Sequence, residues 1–293
     1  MTKRTDDELY GDVLTRVAHR ARRPTPYQIA VPSYQRADTI ARRTLATLER
    51  LHVDADRITV FAATAAEAEA YRDACDVSVV VARPGLFKCR RYYSDVHYPP
   101  GTRILNLDDD VDGLWVKADT KLVAYVGTLD HLAGIGFAMC EAVGAQLWGF
   151  AAAANAFYMA DEAVAGLRYI CGIAHGTIAG DPVNNPVGRS LSSGQDFERS
   201  LTSYRTYGNV VRIGWIAPKT VYFAPGGMQA ELGGKDERAA DHAARLAEIA
   251  HRHPRLARVV QKAGGVPNLR LASKTSVRVP RQSLEHAASS VSV

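Results

Sequence analysis

From residue 28 to residue 107 the chain alternates short apolar runs with stretches of helical pattern, and few architectures accept that alternation. The runs are Gln28–Val31 (QIAV), Arg57–Ala62 (RITVFA), Val77–Val81 (VSVVV) and Thr102–Leu107 (TRILNL). They are short, apolar and bounded by turn residues such as Pro32-Ser33, which is a strand signature. Helical pattern fills the gaps: Asp38 to about Leu51 with Asp38 as cap, the Ala/Glu-rich Ala65–Ala74, and Phe87–Asp95. Strand–helix alternation of this kind predicts parallel strands joined by crossover helices in a doubly wound sheet.

The second half changes character. A helix is expected from Thr128 to Ala145, followed by short apolar runs at 146–150, 156–159, 169–174 and 176–178. These suggest hairpin or edge strands. Residues 180–193 (GDPVNNPVGRSLSS) are loop-like. Helices are expected at 195–207, 237–251 and 254–263, a strand at 210–216, and a flexible segment at 231–234. The fold class is therefore α/β, a single Rossmann-like doubly wound sheet with a mixed second half. The expected division is an N-terminal helix over 1–26, a single α/β domain over 27–265, and a basic, Ser-rich tail over 266–293.

The fourth run delivers a cluster of carboxylates. Residues 103–116 read RILNLDDDVDGLWV, placing Asp108, Asp109 and Asp110 at the strand's end, with Asp112 following. Like charges at this spacing repel, and a divalent cation relieves the repulsion. Hard Mg2+ or Mn2+ prefers carboxylate oxygens and keeps positions open for phosphate. In open α/β sheets, ligands bind outside the carboxyl ends of the strands, where this cluster falls. A solvated acidic turn is the bland alternative for an isolated Asp-x-Asp.

Composition limits the rest. The chain has 293 residues with 47% hydrophobic and 23% charged residues and a net charge of +5; the sequence pI is about 9.0. Basic residues gather at 16–23, at Lys88, Arg90 and Arg91, and from Arg270 to Arg281. A nucleotide or nucleic-acid partner is compatible with that distribution. Cys75, Cys89, Cys140 and Cys171 form no CxxC pair, so neither zinc nor a disulfide framework is suggested. Reduced thiols, a polar N-terminus and the lack of a membrane-length apolar run point to a cytoplasmic protein without membrane association. No GxGxxG or Walker A loop follows the first strand, which disfavours a dinucleotide fold or a P-loop NTPase.

VPSYQR at 31–36 and LDDDVDGL at 107–114 together resemble the GT-A class of nucleotide-sugar glycosyltransferases. Within that class, IAVPSYQR with LDDDV, GIAHGTIAG at 172–180, QDFERSLTSYRTYG at 195–208 and the GG…ER…H pattern ending at His242 are most similar to the TET-associated glycosyltransferases of phage and bacterial DNA modification. The resemblance covers roughly residues 27–260. It implies a GT-A fold, a UDP-sugar donor, Mn2+ or Mg2+ as cofactor, and a 5-hydroxymethylated pyrimidine in DNA as acceptor. Pro32, Ser33, Tyr34 and Arg36 would cradle the nucleotide. Asp110 and Asp108 would hold the metal, with His242 as a third ligand, and Asp108 and Asp109 would reach the donor. Asp109 and Asp112 have purely structural roles as alternatives.

Chemistry assigns the remaining candidates. A departing diphosphate accumulates negative charge, which Lys88, Arg90 and Arg91 could neutralise, with Lys88 and Arg91 taken as donor ligands. An inverting transfer needs a base for the acceptor hydroxyl. Asp196, at a helix start after the flexible loop, is the candidate; Glu198 is a weaker one, and a helix-dipole role is the bland alternative. His175, among glycines, and Trp215, at a strand end, are the acceptor candidates; His97 is a further histidine that could touch acceptor or metal. Two other functions remain open: a GT-A enzyme with a glycan, lipid or protein acceptor, and a non-catalytic nucleotide- or DNA-binding module.

Overall fold

The computed structural model describes residues 5–23, 26–183, 194–220, 235–261 and 267–289. The chain opens with α1 (Asp6–Arg22), started by a Thr5/Glu8 capping box and burying Val13 and Val17. The expected alternation follows. It runs β1 (Gln28–Ser33), α2 (Ala37–Ile40), a π turn (Ala41–Leu45), α3 (Ala46–Arg50), β2 (Ile58–Ala62), α4 (Ala65–Ala74), β3 (Ser78–Val81), α5 (Leu86–Tyr92) and β4 (Arg103–Leu107). Strands β1 to β4 pair in parallel. They form the β4-β1-β2-β3 half of a sheet that is nine-stranded among the described residues.

The other half is mixed, as expected. After β5 (Val111–Ala118) and β6 (Lys121–Ala124), helix α6 (Leu129–Val143) runs behind the sheet, and Gly144 ends it in the left-handed region. Then come β7 (Trp148–Phe150), β8 (Glu162–Leu167), β9 (Ala174–Ile178), α7 (Gln195–Tyr207), β10 (Val210–Ile213), β11 (Ile216–Thr220), α8 (Lys235–Arg252), β12 (Ala257–Gln261), β13 (Pro267–Leu271), β14 (Lys274–Pro280) and α9 (Arg281–Ser289). The full order of the large sheet is β14-β8-β10-β7-β9-β4-β1-β2-β3. Strand β9 is antiparallel to both β4 and β7, so the carboxyl ends of β4 and β7 open on the same edge. A small sheet, β11-β5-β6, continues from the Asp turn.

Several local expectations are corrected. Residues 267–289 are not a tail: β14 pairs with β8 through Val277, Val279 and their neighbours, and α9 packs against α1. The basic composition misled because it belongs to an edge strand, where outward charge discourages further pairing. Within 254–263 lies β12, not a helix, and 156–159 is a single 3-10 turn (Ala156–Tyr158). Strands β8 and β5 carry little strand signal in sequence: EAVAGL lacks the β-branched content that marks a strand, and the Asp cluster and Gly113 obscure the start of β5. The run at 169–174 is irregular, with β9 beginning only at Ala174. Residues 184–193 of the expected loop and the expected flexible segment at 231–234 lie outside the described residues. No described helix is long and apolar enough to cross a membrane.

The core between the sheet and α6 closes around Trp148, which is 1% exposed and packs edge-on against Phe137 and Phe150. Its indole lies flush against two glycines. A Cβ on Gly136 of α6 would fall 2.4 Å from the ring, and one on Gly176 of β9 would fall 1.9 Å from Nε1. Gly176→Ala is therefore expected to destabilise the fold by about 2–3 kcal/mol or to prevent folding, as overpacking of a rigid site does. Urea unfolding reads the loss, and unchanged stability would contradict this packing.

Candidate active site

The Asp turn at the end of β4 is fastened from two sides. On one side stands the loop that leaves β1. Ser33 Oγ donates to Asp109 Oδ2 at 2.6 Å and accepts from the Tyr71 hydroxyl at 2.7 Å. Arg36 Nη1 reaches Asp109 Oδ1 at 2.8 Å and Asp110 Oδ2 at 3.2 Å. The backbone N–H of Arg36 is held by the same Tyr71 hydroxyl, and Gln35 turns the chain at φ 56°. VPSYQR and the Asp cluster thus form one hydrogen-bonded unit.

Beneath the turn, the helical segment 37–50 contributes two threonines. Thr44 Oγ1 donates to the Asp108 carbonyl at 2.8 Å and accepts from Val111 N–H at 3.0 Å, while Thr47 Oγ1 donates to the Val111 carbonyl. The π turn at 41–45 sits where Thr44 makes these contacts, in keeping with the association of π bulges with functional sites. Neither threonine was singled out from the sequence; a hydroxyl in a helix leaves no distinctive pattern.

The other side brings in the second half of the chain. Arg90, 6% exposed, donates from Nη2 to Asp108 Oδ1 at 3.1 Å and to the Gly172 carbonyl at 3.1 Å. Gly172 N–H donates to Asp196 Oδ2 at 2.8 Å, and the Tyr169 hydroxyl donates to the same oxygen at 3.3 Å. Arg199 Nη2 holds Asp196 Oδ1 at 3.1 Å. Asp196 stands in the first turn of α7, with a quarter of its side chain exposed. A Cβ on Gly172 would lie 2.7 Å from Asp196 Oδ1, so only glycine admits this approach. The carboxylate still has lone pairs for a substrate hydroxyl after accepting these bonds.

Charge crowding leaves a mark on the cluster. Burial, with the Asp110, Asp109 and Asp196 carboxylates adding to it, pushes Asp108 up to about 7 although Arg90 opposes the shift. Asp110 is also raised, by burial and then by Asp109, against the pull of Arg36. One third of the Asp108 side chain and 14% of the Asp110 side chain face solvent. Two hard, partly exposed carboxylates with disfavoured charge fit Mg2+ or Mn2+, which are held by one or two carboxylates plus substrate phosphates and not by an all-protein cage. Among the described residues no three metal-binding side chains converge, so His242, on α8, does not complete a shell with Asp108 and Asp110.

Other candidates fall differently from expectation. Pro32 is buried in β1, and Tyr34 is half-buried in the loop beyond it. Lys88 is exposed and Arg91 pairs with Asp95 on the outer face of α5, so Arg90 is the member of the basic trio that turns inward. His175 is 1% exposed within β9, its Nδ1 lying 3.1 Å from the Gly172 carbonyl; burial, then Arg199 and Arg90, hold it well below the usual histidine range. Trp215 is 1% exposed in the core. At 1% exposure neither presents a surface to an acceptor in this arrangement; in sequence, an isolated His or Trp reads alike in core and in pocket. His97 packs edge-on against Phe61 and Tyr98. Glu198 is ion-paired with Arg252 of α8, which removes it as an alternative base.

The raised Asp108 has a consequence for pH. A carboxyl whose folded pKa exceeds its unfolded value of 3.8 is stabilising while protonated and loses that contribution as pH rises through about 7. Divalent cation binding requires the ionised form. Stabilisation by Mn2+ or Mg2+ is therefore expected to be larger at pH 8 than at pH 6 and to vanish in Asp108→Asn. Thermal melts with and without metal read this; a shift independent of pH would remove Asp108 as a ligand.

No family model matches this chain, and no curated protein matches it. Solved structures do. Staphylococcus aureus TarS 1–349 in complex with UDP-GlcNAc aligns with a TM-score of 0.51 at 13% identity, covering 78% of this chain and 66% of that one. A second TarS 1–349 structure is covered to 58% of its length; the chain thus spans less than two thirds of the TarS chains. The mannosyltransferase PcManGT from Pyrobaculum calidifontis in complex with GDP-Man and Mn2+ aligns with a TM-score of 0.47 at 13% identity, over 83% of this chain and 73% of that one. Glucosyl-3-phosphoglycerate synthase from Mycobacterium tuberculosis with Mn2+ and UDP-Glc gives 0.47 at 10% identity, over 97% and 96%. The TarS likeness is one of fold, and the fold is α/β and GT-A-like, with a mostly parallel central sheet that turns mixed in its second half.

Proposed function

We propose that the chain is a metal-dependent glycosyltransferase that moves a sugar from a nucleotide-sugar, with a UDP-sugar favoured, to a hydroxyl group. The observation that carries this is the meeting of Asp108 and Asp196, far apart in sequence, across Arg90 and Gly172 at the carboxyl edge of the sheet. A carboxylate cluster suited to a metal–diphosphate and a second carboxylate suited to a base then stand on either side of Arg90 and Gly172. The fold shared with a TarS chain that binds UDP-GlcNAc supports the donor class.

The residues divide the work. Asp110 and Asp108 would hold the metal, which when bound supplies Lewis-acid stabilisation of the leaving diphosphate. Arg90 keeps Asp108 aimed, and Arg36 does the same for Asp110. Asp196 accepts the proton of the acceptor hydroxyl as its oxygen attacks the anomeric carbon; the bond from that carbon to the diphosphate oxygen breaks through an oxocarbenium-like state. Tyr169, Arg199 and the Gly172 N–H hold that base in place.

The finer proposal for the acceptor is a 5-hydroxymethylated pyrimidine in DNA, which would have to be flipped from the stack. It rests on the sequence resemblance. Trp215 is buried and adds nothing to it, and on α1 Arg16 pairs with Asp12 and Arg20 with Glu141 while Arg22 and Arg23 stay exposed.

Incubation with UDP- and GDP-sugars and Mn2+ should release nucleotide diphosphate, and hydroxymethylated DNA should gain the mass of one sugar while unmodified DNA does not. Absence of donor turnover and of donor-dependent stabilisation would leave only the binding-module reading; turnover with transfer solely to water or to glycan, lipid or protein acceptors would remove DNA. Asp196→Asn should lower transfer by roughly 10²–10⁴-fold, the usual contribution of a general base, while donor binding survives. Gly172→Ala, which displaces the same carboxylate, should follow it in direction. Unchanged turnover in Asp196→Asn refutes the base.

A further inference from the structure

At the opposite margin of the large sheet, β14, β8 and β10 lie side by side. Val164 of β8 pairs with Arg278 of β14 on one flank and with Arg212 of β10 on the other. Directly opposed residues project to the same face of a sheet, so both guanidiniums share the Val164 face, and Glu162, two residues along, shares it too. Arg168 joins them just past the end of β8. The three arginines and Glu162 line one cavity of about 200 Å3, with Tyr158 at its wall.

The charges there do not balance. Arg278 is paired with Glu162. Arg168 is spent on neutral oxygens, donating to the Leu167 and Lys274 carbonyls and to Thr275 Oγ1. Arg212 is half-buried, and its guanidinium makes no hydrogen bond among the described residues. One carboxylate therefore faces three guanidiniums. Burial and mutual repulsion push both Arg168 and Arg212 below the usual arginine range. A partly buried cation without a partner, as Arg212 is, is costly, and a polyvalent anion relieves the cost. Guanidinium forks match phosphate oxygens in geometry as well as charge.

We propose that this cavity is a metal-independent anion site that takes the phosphate group of a small phosphate ester. Its volume lies below the ~300–1,000 Å3 of pockets that enclose whole drug-sized ligands, so it seats a group, with the remainder of the ester at the open rim beside Tyr158. Tyr158 is 71% exposed there, and its neighbour Phe157 is 85% exposed. The site shares no lining residue with the Asp108 cluster. Strand β10 is three strands removed from β4, a separation of about 14 Å at ~4.8 Å per strand. The inference does not depend on the proposed glycosyl transfer.

The test is calorimetric titration of the full chain at low salt with EDTA, using inorganic phosphate, ribose 5-phosphate and neutral ribose. Both phosphates should bind saturably at one equivalent, and ribose should not bind. Arg212→Gln and Arg278→Gln should each weaken binding about tenfold or more. Asp108→Asn and the exposed Arg258→Gln should leave it unchanged. Arg212→Gln should melt no lower than the parent, since it relieves repulsion; if it fails to fold, the exposed Arg278→Gln decides. Lack of saturable phosphate binding, an equal loss in Arg258→Gln, or a loss in Asp108→Asn would overturn the site. Binding of inorganic phosphate with exclusion of ribose 5-phosphate would overturn the ester assignment.

Discussion

Three adjacent carboxylates at the end of a buried strand cannot coexist without cations, and much of the surrounding structure answers that repulsion. Arg36 spans Asp109 and Asp110 from the first strand's loop. Arg90 takes Asp108 from α5. Ser33 donates to Asp109 Oδ2, and Thr44 and Thr47 bond the Asp108 and Val111 carbonyls and the Val111 N–H. Compensation stops short of neutrality at Asp108, whose charge remains disfavoured. A site fully balanced by protein cations would have little affinity for a metal. Incomplete balance is what the proposed metal site requires, and the Thr44 and Thr47 hydrogen bonds tie the turn to the helical segment beneath it.

Much of this architecture was legible in the residues. Continuous apolar runs separated by helical stretches determine a parallel sheet, because no other arrangement buries them all. The placement of the Asp turn beside VPSYQR follows from that topology, since neighbouring parallel strands put their carboxyl ends together. Pairing of Asp108 with Asp196 was less legible. It depends on β9 returning antiparallel between β4 and β7, and on Gly172 lying flush against a carboxylate, neither of which leaves a local pattern.

The misassignments share a physical origin. Lys88, Arg90 and Arg91 look equivalent in sequence, yet on a helix about 100° per residue separates inward from outward, and only Arg90 turns in. His175 stands among glycines that suggested ligand access. Gly176 instead makes room for Trp148, and Gly172 for Asp196. Small residues admit a neighbour; the sequence does not say whether that neighbour is a ligand or a side chain. In the C-terminal segment basic composition masks the pattern of Val277 and Val279, which alternate with outward residues as a half-buried strand should.

That segment also bears on how the molecule assembles. Helix α1 rests on α6 and on α9, and its Tyr10 hydroxyl reaches Ser283 Oγ at 2.9 Å, across 273 residues. During synthesis, residues 6–22 therefore emerge long before half of their groove exists. Their apolar face, with Val13 and Val17, must wait exposed or in a provisional contact while the whole sheet is built. Closing so long a loop adds only about 0.6 kcal/mol per doubling of length, so the delay is kinetic more than energetic. Helix α1 is thus completed only by elements made after the sheet, and seating it couples the edge strand β14 to α6 and α9.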